Sequence, residues 1–202
     1  MTDPTRRTAP AAERNLAPIL QALQRYAPTS GRALEIASGS GQQIVQFAKA
    51  HPALLWQASD LDSENLASIT AWAQFAPSEN LLPPIVLDGA KPGWAQAHAG
   101  LSLILMVNVL HLVSTPAATT MLQECSTALA PNGRLLIYGP FLRDGSTTSP
   151  GDAQFDADLQ ARDPTIGYKD LHWVTAQMAA NGLAVQSEPM PANNLMLIAL
   201  KP

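Results

Sequence analysis

Residues 33–41, Ala-Leu-Glu-Ile-Ala-Ser-Gly-Ser-Gly, leave this chain few folds to choose from. A short apolar run carrying one acid, Glu35, stops in a glycine-rich turn, and a helix-compatible stretch follows over 42–50. That order, strand then tight turn then helix N-terminus, is the repeating unit of open α/β sheets. Gly39 and Gly41 have no Cβ, so the backbone there takes positive φ and lets a ligand approach closely. The turn is expected to receive a nucleotide-like ligand. A dinucleotide fingerprint needs a glycine or small residue in its third place, where the helix packs close to the strand. Ile44 stands there. Glu35 would also repel a pyrophosphate, whereas it suits a ligand with a cationic amino group.

The rest of the chain repeats the unit. Leu16, Ile19, Leu20 and Leu23 fall on one face of a helix predicted over 13–26, which Arg14 and Asn15 open. A second strand is predicted over 54–59, ending at Asp60-Leu61-Asp62. Asp60 follows Gly41 at close to the spacing expected of an acid that accepts hydrogen bonds from a ribose. Asp62 sits where an N-cap would, ahead of the next helix, and capping is its preferred reading. A third short strand, 85–87, ends at Asp88-Gly89; Asp88 either faces the exocyclic amine of an adenine or caps a turn. The fourth, 101–109, is almost continuously apolar, as a central strand covered on both faces must be. It runs into Asn108, Val109, Leu110 and His111, which places the polar Asn108 and His111 where the ligand crevice of such a sheet opens. His111 is a candidate general base, because an ordinary imidazole takes a proton near neutral pH; the competing reading is a positioning role beneath the ligand. A helix over 119–129 and a strand over 134–138 complete five alternations. Residues 142–152 are polar and too long for an ordinary connection, and so are a candidate lid. Helices over 155–160 and 170–180 precede two closing strands, 183–187 and 195–200, joined through Pro189 to Asn194 and expected to add an antiparallel edge strand.

The 202 residues suit one domain, with 1–12 as a flexible tail and 13–202 as the folded unit. Formal charge is −4, and the 12 Lys and Arg are spread thinly, so the basic footprint of a nucleic-acid binder is missing. The most apolar stretch, 101–113, is broken by Ser102, Asn108 and His111 and is shorter than the ~20 residues of a membrane helix. The first residues carry no apolar run typical of a secretion signal, so a cytoplasmic location is expected. Cys125 is alone and reads as a small buried apolar residue.

Several stretches together are more specific than the glycine turn: Glu13-Arg14-Asn15, Leu34 through Gln42, Ser59-Asp60-Leu61-Asp62, Tyr138-Gly139-Pro140-Phe141, Phe155-Asp156, Arg162-Asp163-Pro164 and Met190 through Asn194. Through them the sequence resembles the DUF938 (UPF0585, methyltransferase-like 26) family of class I S-adenosylmethionine-dependent methyltransferases. S-adenosylmethionine has the cationic amino group that Glu35 suits, together with a sulfonium and no phosphate. The resemblance implies a doubly wound, mostly parallel, seven-stranded Rossmann-like sheet with an antiparallel last strand. It also implies a donor site built from Asn15, Glu35, Ala37, Gly39, Gly41, Asp60, Leu61, Asp88, Gly89, Asn108 and Val109, with no metal. The acceptor is expected to be a small molecule held by Arg14, Tyr138, Phe141, Asn193 and Asn194, with His111 or Tyr138 as catalytic base where one is needed. Departures from the family pattern, Gln43 in place of a histidine, Pro150-Gly151-Asp152 ahead of Phe155, and Ile166 and Lys169 around Gly167, fall mainly on the acceptor half. A non-catalytic donor-binding or partner module is the rival reading, and a dehydrogenase a distant third.

Overall fold

The computed structural model describes residues 5–202; the first four residues of the expected tail lie outside them. Alternating helices and strands give α1 (Pro10–Tyr26), β1 (Gly31–Ile36), α2 (Ile44–Ala50), β2 (Leu54–Asp60), α3 (Ser63–Phe75), β3 (Leu81–Val86), α4 (Trp94–Ala97) and β4 (Leu101–Val107). A 3₁₀ turn (Leu110–Leu112) leads into α5 (Thr115–Ala128), β5 (Leu129–Gly139), α6 (Pro150–Arg162), α7 (Leu171–Ala180), β6 (Ala184–Pro189) and β7 (Leu195–Leu200). One seven-stranded sheet results, ordered β3-β2-β1-β4-β5-β7-β6. The first five strands run parallel, and β7 lies antiparallel to both β5 and β6. This is the Rossmann-like methyltransferase fold expected from the sequence.

Successive side chains of the central strands go to opposite faces, so each strand feeds two cores. Ile104 and Met106 of β4 join Leu34, Ile137 and Leu197 under α4, α5 and α7. Leu103 and Leu105 join Phe47, Trp56, Leu136 and Tyr138 under α1, α2 and α3. Helix α1 docks through Ile19, Ala22 and Leu23, all fully buried. It starts at Pro10, three residues before the predicted position, because proline's fixed φ suits the first helical turn.

Three details differ from the sequence expectation. The antiparallel strand is not at the edge: β7 is inserted between β5 and β6, and its run Leu-Met-Leu-Ile-Ala is buried throughout, which an edge position would not allow. Pro131, Asn132 and Gly133, between the predicted helix over 119–129 and the predicted strand over 134–138, lie inside β5 as an irregularity, where Leu101 pairs with Leu129 and Leu103 with Arg134. The segment 142–152 is anchored, with Leu142 N–H donating to Lys169 O (3.0 Å) and Gly145 N–H to the Asp170 carboxylate (2.8 Å). Its last three residues already belong to α6, capped by Ser149. No helix among the described residues is long and apolar enough to cross a membrane.

Asn80 ties the end of α2 to the start of β2: its Nδ2 donates to the carbonyls of Ala48 (3.0 Å), His51 (3.0 Å) and Leu54 (2.8 Å). Asn80→Ala strands these carbonyls, and the expected loss is about 1–3 kcal/mol. A melting curve checks it, and an unchanged midpoint would show that solvent replaces the amide.

Candidate donor site

In the sheet order, β1 and β4 are neighbours whose connections leave toward opposite edges, and a crevice opens beyond their carboxyl ends. Its floor is the turn after β1. Ala37, Gly39 and Gly41 all have positive φ (55°, 58° and 82°). The bend is held from below by β2: Ser38 N–H donates to Ser59 O (2.8 Å), and Ser59 Oγ donates to Glu35 O (2.7 Å). Asp60, buried at the end of β2, accepts from Gly39 N–H through Oδ2 (2.8 Å) and from Asp62 N–H (3.0 Å) and Asn65 Nδ2 (3.2 Å) through Oδ1. A cavity of about 440 Å³ rises over this frame. Glu35, Ala37, Ser38, Gly39 and Asp60 line one side, and Val107, Asn108, Val109 and Leu112 the other. Ala9, Ala11 and Ala12 close it from the start of α1.

That closing segment is pinned to the glycine turn. Ala9 N–H donates to Gln42 Oε1 (3.1 Å), the buried Gln43 donates through Nε2 to Ala12 O (3.0 Å), and Arg7 N–H donates to Ser68 Oγ (2.9 Å). Ser68 in turn donates to Ser40 O (2.7 Å). Residues 7–12, assigned from sequence to a flexible tail, are therefore hydrogen-bonded to the domain and supply a wall of its cavity.

Glu35 dominates the electrostatics. It is 2% exposed, and its Oε2 has no hydrogen-bond partner. Burial raises its pKa to about 7, against a smaller lowering by Ser38, with the nearby Asp60 charge raising it further. A buried carboxyl oxygen without a partner is costly unless something cationic or hydrogen-donating meets it.

Of the expected donor residues, Glu35, Ala37, Gly39, Asp60, Asn108 and Val109 are brought together on the cavity wall. Five are not on it. A Cβ on Gly41 would lie 2.6 Å from Ile69 Cα, so this glycine is needed for α3 to pack; a Cβ on Gly39 would meet nothing within 4 Å. Leu61 is 60% exposed beyond the rim. Asp88 takes its turn-capping alternative, accepting from Ala90 N–H (3.1 Å) and pairing with Lys91 (3.7 Å), because β3 ends two residues earlier at Val86. Gly89 is packed against Ile36 and Met121, and Asn15 lies one helical turn beyond the lining alanines. Asp62 caps α3 as its preferred reading had it, accepting from Glu64 N–H (2.8 Å).

The expected acceptor residues do not converge. Tyr138 is buried in the core beneath α1–α3 because the alternation of β5 sends it to that face with Leu136, and its hydroxyl is unpartnered. Phe141 is packed into the opposite core. Asn194 donates within its own turn to Pro191 O (2.9 Å), Asn193 donates to Asp152 (3.0 Å), and Arg14 is exposed on α1. His111 is buried edge-on to Phe155 (5.8 Å) and Tyr168 (6.0 Å). Burial, and secondarily the Lys169 charge, lowers its pKa to about 4, so it is neutral at pH 7 but a weak base. Sequence reasoning missed Ala9, Ala11, Ala12, Gln43 and Asn65; only Asn65, one turn into the helix after Asp60, had a local signal. A second depression of about 340 Å³, between α7 and edge strand β6, is lined by Arg143, Asp144 and His172 but lies away from the strand ends. Among the described residues no cluster of His, Cys, Asp or Glu could hold a metal.

Solved structures share this architecture. An O-methyltransferase family protein from Burkholderia thailandensis is 16% identical with a TM-score of 0.79, over 95% of this chain and 58% of that one. An O-methyltransferase family 2 protein from Planctomyces limnophilus, solved with apigenin, is 22% identical (TM-score 0.72) over 85% of this chain and 51% of that one. The chain thus spans a little over half the length of these O-methyltransferases, whereas it matches 98% of the YcgJ protein of Bacillus subtilis (16% identical, TM-score 0.70, 94% of this chain). At such identities the likeness is one of fold. A family model described as a protein of unknown function, DUF938, matches residues 6–201, and the chain belongs to that family.

Proposed function

We propose that this chain is an S-adenosylmethionine-dependent methyltransferase that transfers the sulfonium methyl to a small-molecule acceptor by in-line displacement. The observation that carries the reading is that Glu35, a residue of the cavity wall beside Gly39, has a buried carboxyl oxygen with no hydrogen-bond partner. The donor's ammonium would satisfy it, and a pyrophosphate facing Glu35 and Asp60 together would be repelled, which disfavours a dinucleotide. In this reading the ribose meets Asp60, whose Oδ2 accepts only from Gly39 N–H and so has acceptor capacity left, and Asn108 and Val109 flank the donor from the end of β4. Displacement needs the nucleophile held in line about 3–3.5 Å from the methyl carbon with water excluded, and that positioning supplies much of the acceleration. A base as weak as His111 removes little proton density from a phenol, so its expected role is to support the 3₁₀ turn, where His111 O accepts from Gly167 N–H (3.0 Å). The negative formal charge disfavours nucleic acid as acceptor, and a cytoplasmic location belongs to the same proposal.

Calorimetry with S-adenosylhomocysteine tests the donor, and labelled methyl transfer to a panel of small acceptors tests the chemistry. Asp60→Ala is expected to weaken binding roughly tenfold to a few hundredfold for each charged hydrogen bond lost. It should also lower the melting midpoint, since Gly39 and Asn65 lose their acceptor. Unchanged affinity would remove Asp60 from the site; binding without turnover on any acceptor would favour a non-catalytic module; and stabilisation by NADH alone would overturn the donor.

A further inference from the structure

The segment ahead of α1 crosses α3 and is fastened along one face of that helix. Arg6 lays its guanidinium over Phe75 and Trp72, 3.6 and 4.8 Å from the ring centroids. Arg7 N–H donates to Ser68 Oγ (2.9 Å), Arg7 O accepts from Trp72 Nε1 (2.8 Å), and Arg7 Nη1 donates to Asn65 Oδ1 (3.0 Å). Residues 65, 68, 72 and 75 recur at helical spacing and so share a face. Glu64 (3.4 Å) and Asp62 (4.0 Å) flank the same guanidinium. The Arg7 side chain is 48% exposed, and ion pairs so exposed contribute little to stability. Its bond to Asn65 differs in kind, because the other end of that amide reaches a buried acid.

Asn65 is a residue of the cavity wall, and its Nδ2 donates to Asp60 Oδ1 (3.2 Å). A carboxamide has an acceptor end and a donor end. Arg7 takes the acceptor end, which commits the donor end to Asp60; with the amide turned over, its oxygen would face the carboxylate and its NH2 the guanidinium. Asp60 is otherwise held by Gly39 N–H and Asp62 N–H alone. We propose that Arg7 is a positioning residue for Asp60, fixing through Asn65 the direction of the carboxylate that meets the donor's ribose. This rests on the donor reading above and extends it: docking of the segment ahead of α1 becomes a condition of ribose recognition.

The test is calorimetry with S-adenosylhomocysteine and with its 2′,3′-dideoxyribose analogue, which has no hydroxyl for Asp60. Arg7→Ala is expected to weaken S-adenosylhomocysteine about fivefold to tenfold and the analogue by less than about twofold. Arg6→Ala loosens the same segment without touching Asn65, so it should affect both ligands alike. Asn65→Ala should reproduce the selectivity of Arg7→Ala, and the double variant should lose little more, because the two side chains act in one chain of bonds. Equal weakening of both ligands by Arg7→Ala, or no weakening of either, overturns the inference while leaving the donor assignment intact. So do additive losses in the double variant, and so does a wild type that binds the two ligands equally. Failure of both ligands to bind the wild type overturns the donor reading and this inference with it.

Discussion

Gly41→Ala is expected to lower the melting midpoint on the order of 10 °C, whereas Gly39→Ala should cost far less stability and instead lose the donor. Both glycines have positive φ, where a side chain costs ~1–2 kcal/mol. They differ in what a Cβ would touch. At Gly41 it would stand 2.6 Å from Ile69 Cα and 2.8 Å from Ile69 Cγ1. Backbone cannot yield as a flexible side-chain end does, so α3 has to move, adding ~1–3 kcal/mol of overpacking. The sum, ~2–5 kcal/mol, corresponds to roughly 5–20 °C for a chain of this size. At Gly39, a residue of the cavity wall, the Cβ meets nothing within 4 Å. Melting curves with and without S-adenosylhomocysteine separate the two: Gly39→Ala should lose only the ~2–8 °C that its φ costs and lose most of the ligand-induced shift. A Gly41→Ala protein that melts normally but fails to bind would make Gly41 a ligand contact after all.

The second large effect is a pH dependence set by Glu35. Its folded-state pKa, about 7, lies above the ordinary 4.5. Between those values the folded protein holds a proton that the unfolded chain has released, so stability falls as pH rises through this window and levels off above it. The expected decline is about 3 kcal/mol. Glu35→Gln should remove most of it, because a neutral amide has no charged form for burial to penalise. Binding of a ligand that presents an ammonium group to Glu35 runs the other way. At pH 5 Glu35 must first lose its proton, so affinity for S-adenosylhomocysteine should climb by up to about tenfold per pH unit toward 7 and then flatten. Urea unfolding from pH 4.5 to 8.5 and calorimetry over the same range test both limbs. A stability curve that is flat in the wild type would mean that Glu35 is ionised and already partnered in the free protein.

These tests differ from those the sequence alone would motivate, and residue by residue the reason is the same. Features set within a few residues were legible: the strand, turn and helix at 33–50, the cap at Asp62, the apolar run of β4, and the alternation that gives a doubly wound sheet. Each depends on φ preference, a cap or a hydrophobic period, and those act locally. Glu35, Gly39, Asp60 and Asn108 could be found because strand ends in such a sheet converge by topology. Tertiary structure decided the rest. Nothing near Gly41 in the chain announces Ile69, 28 positions away, so packing and ligand approach could not be told apart there. Tyr138 and Phe141 were both expected at the acceptor, yet strand alternation and the turn after it bury them in opposite cores. Of the two readings open for Asp88 in the sequence, the fold shows the turn cap, through its bond from Ala90 N–H. The antiparallel β7 became an interior strand because its continuous apolar run had to be covered on both sides. Ala9, Ala11 and Ala12 have no reactive side chain for a sequence to display. They belong to the site because two glutamines beyond the glycine turn hold the start of α1 over it.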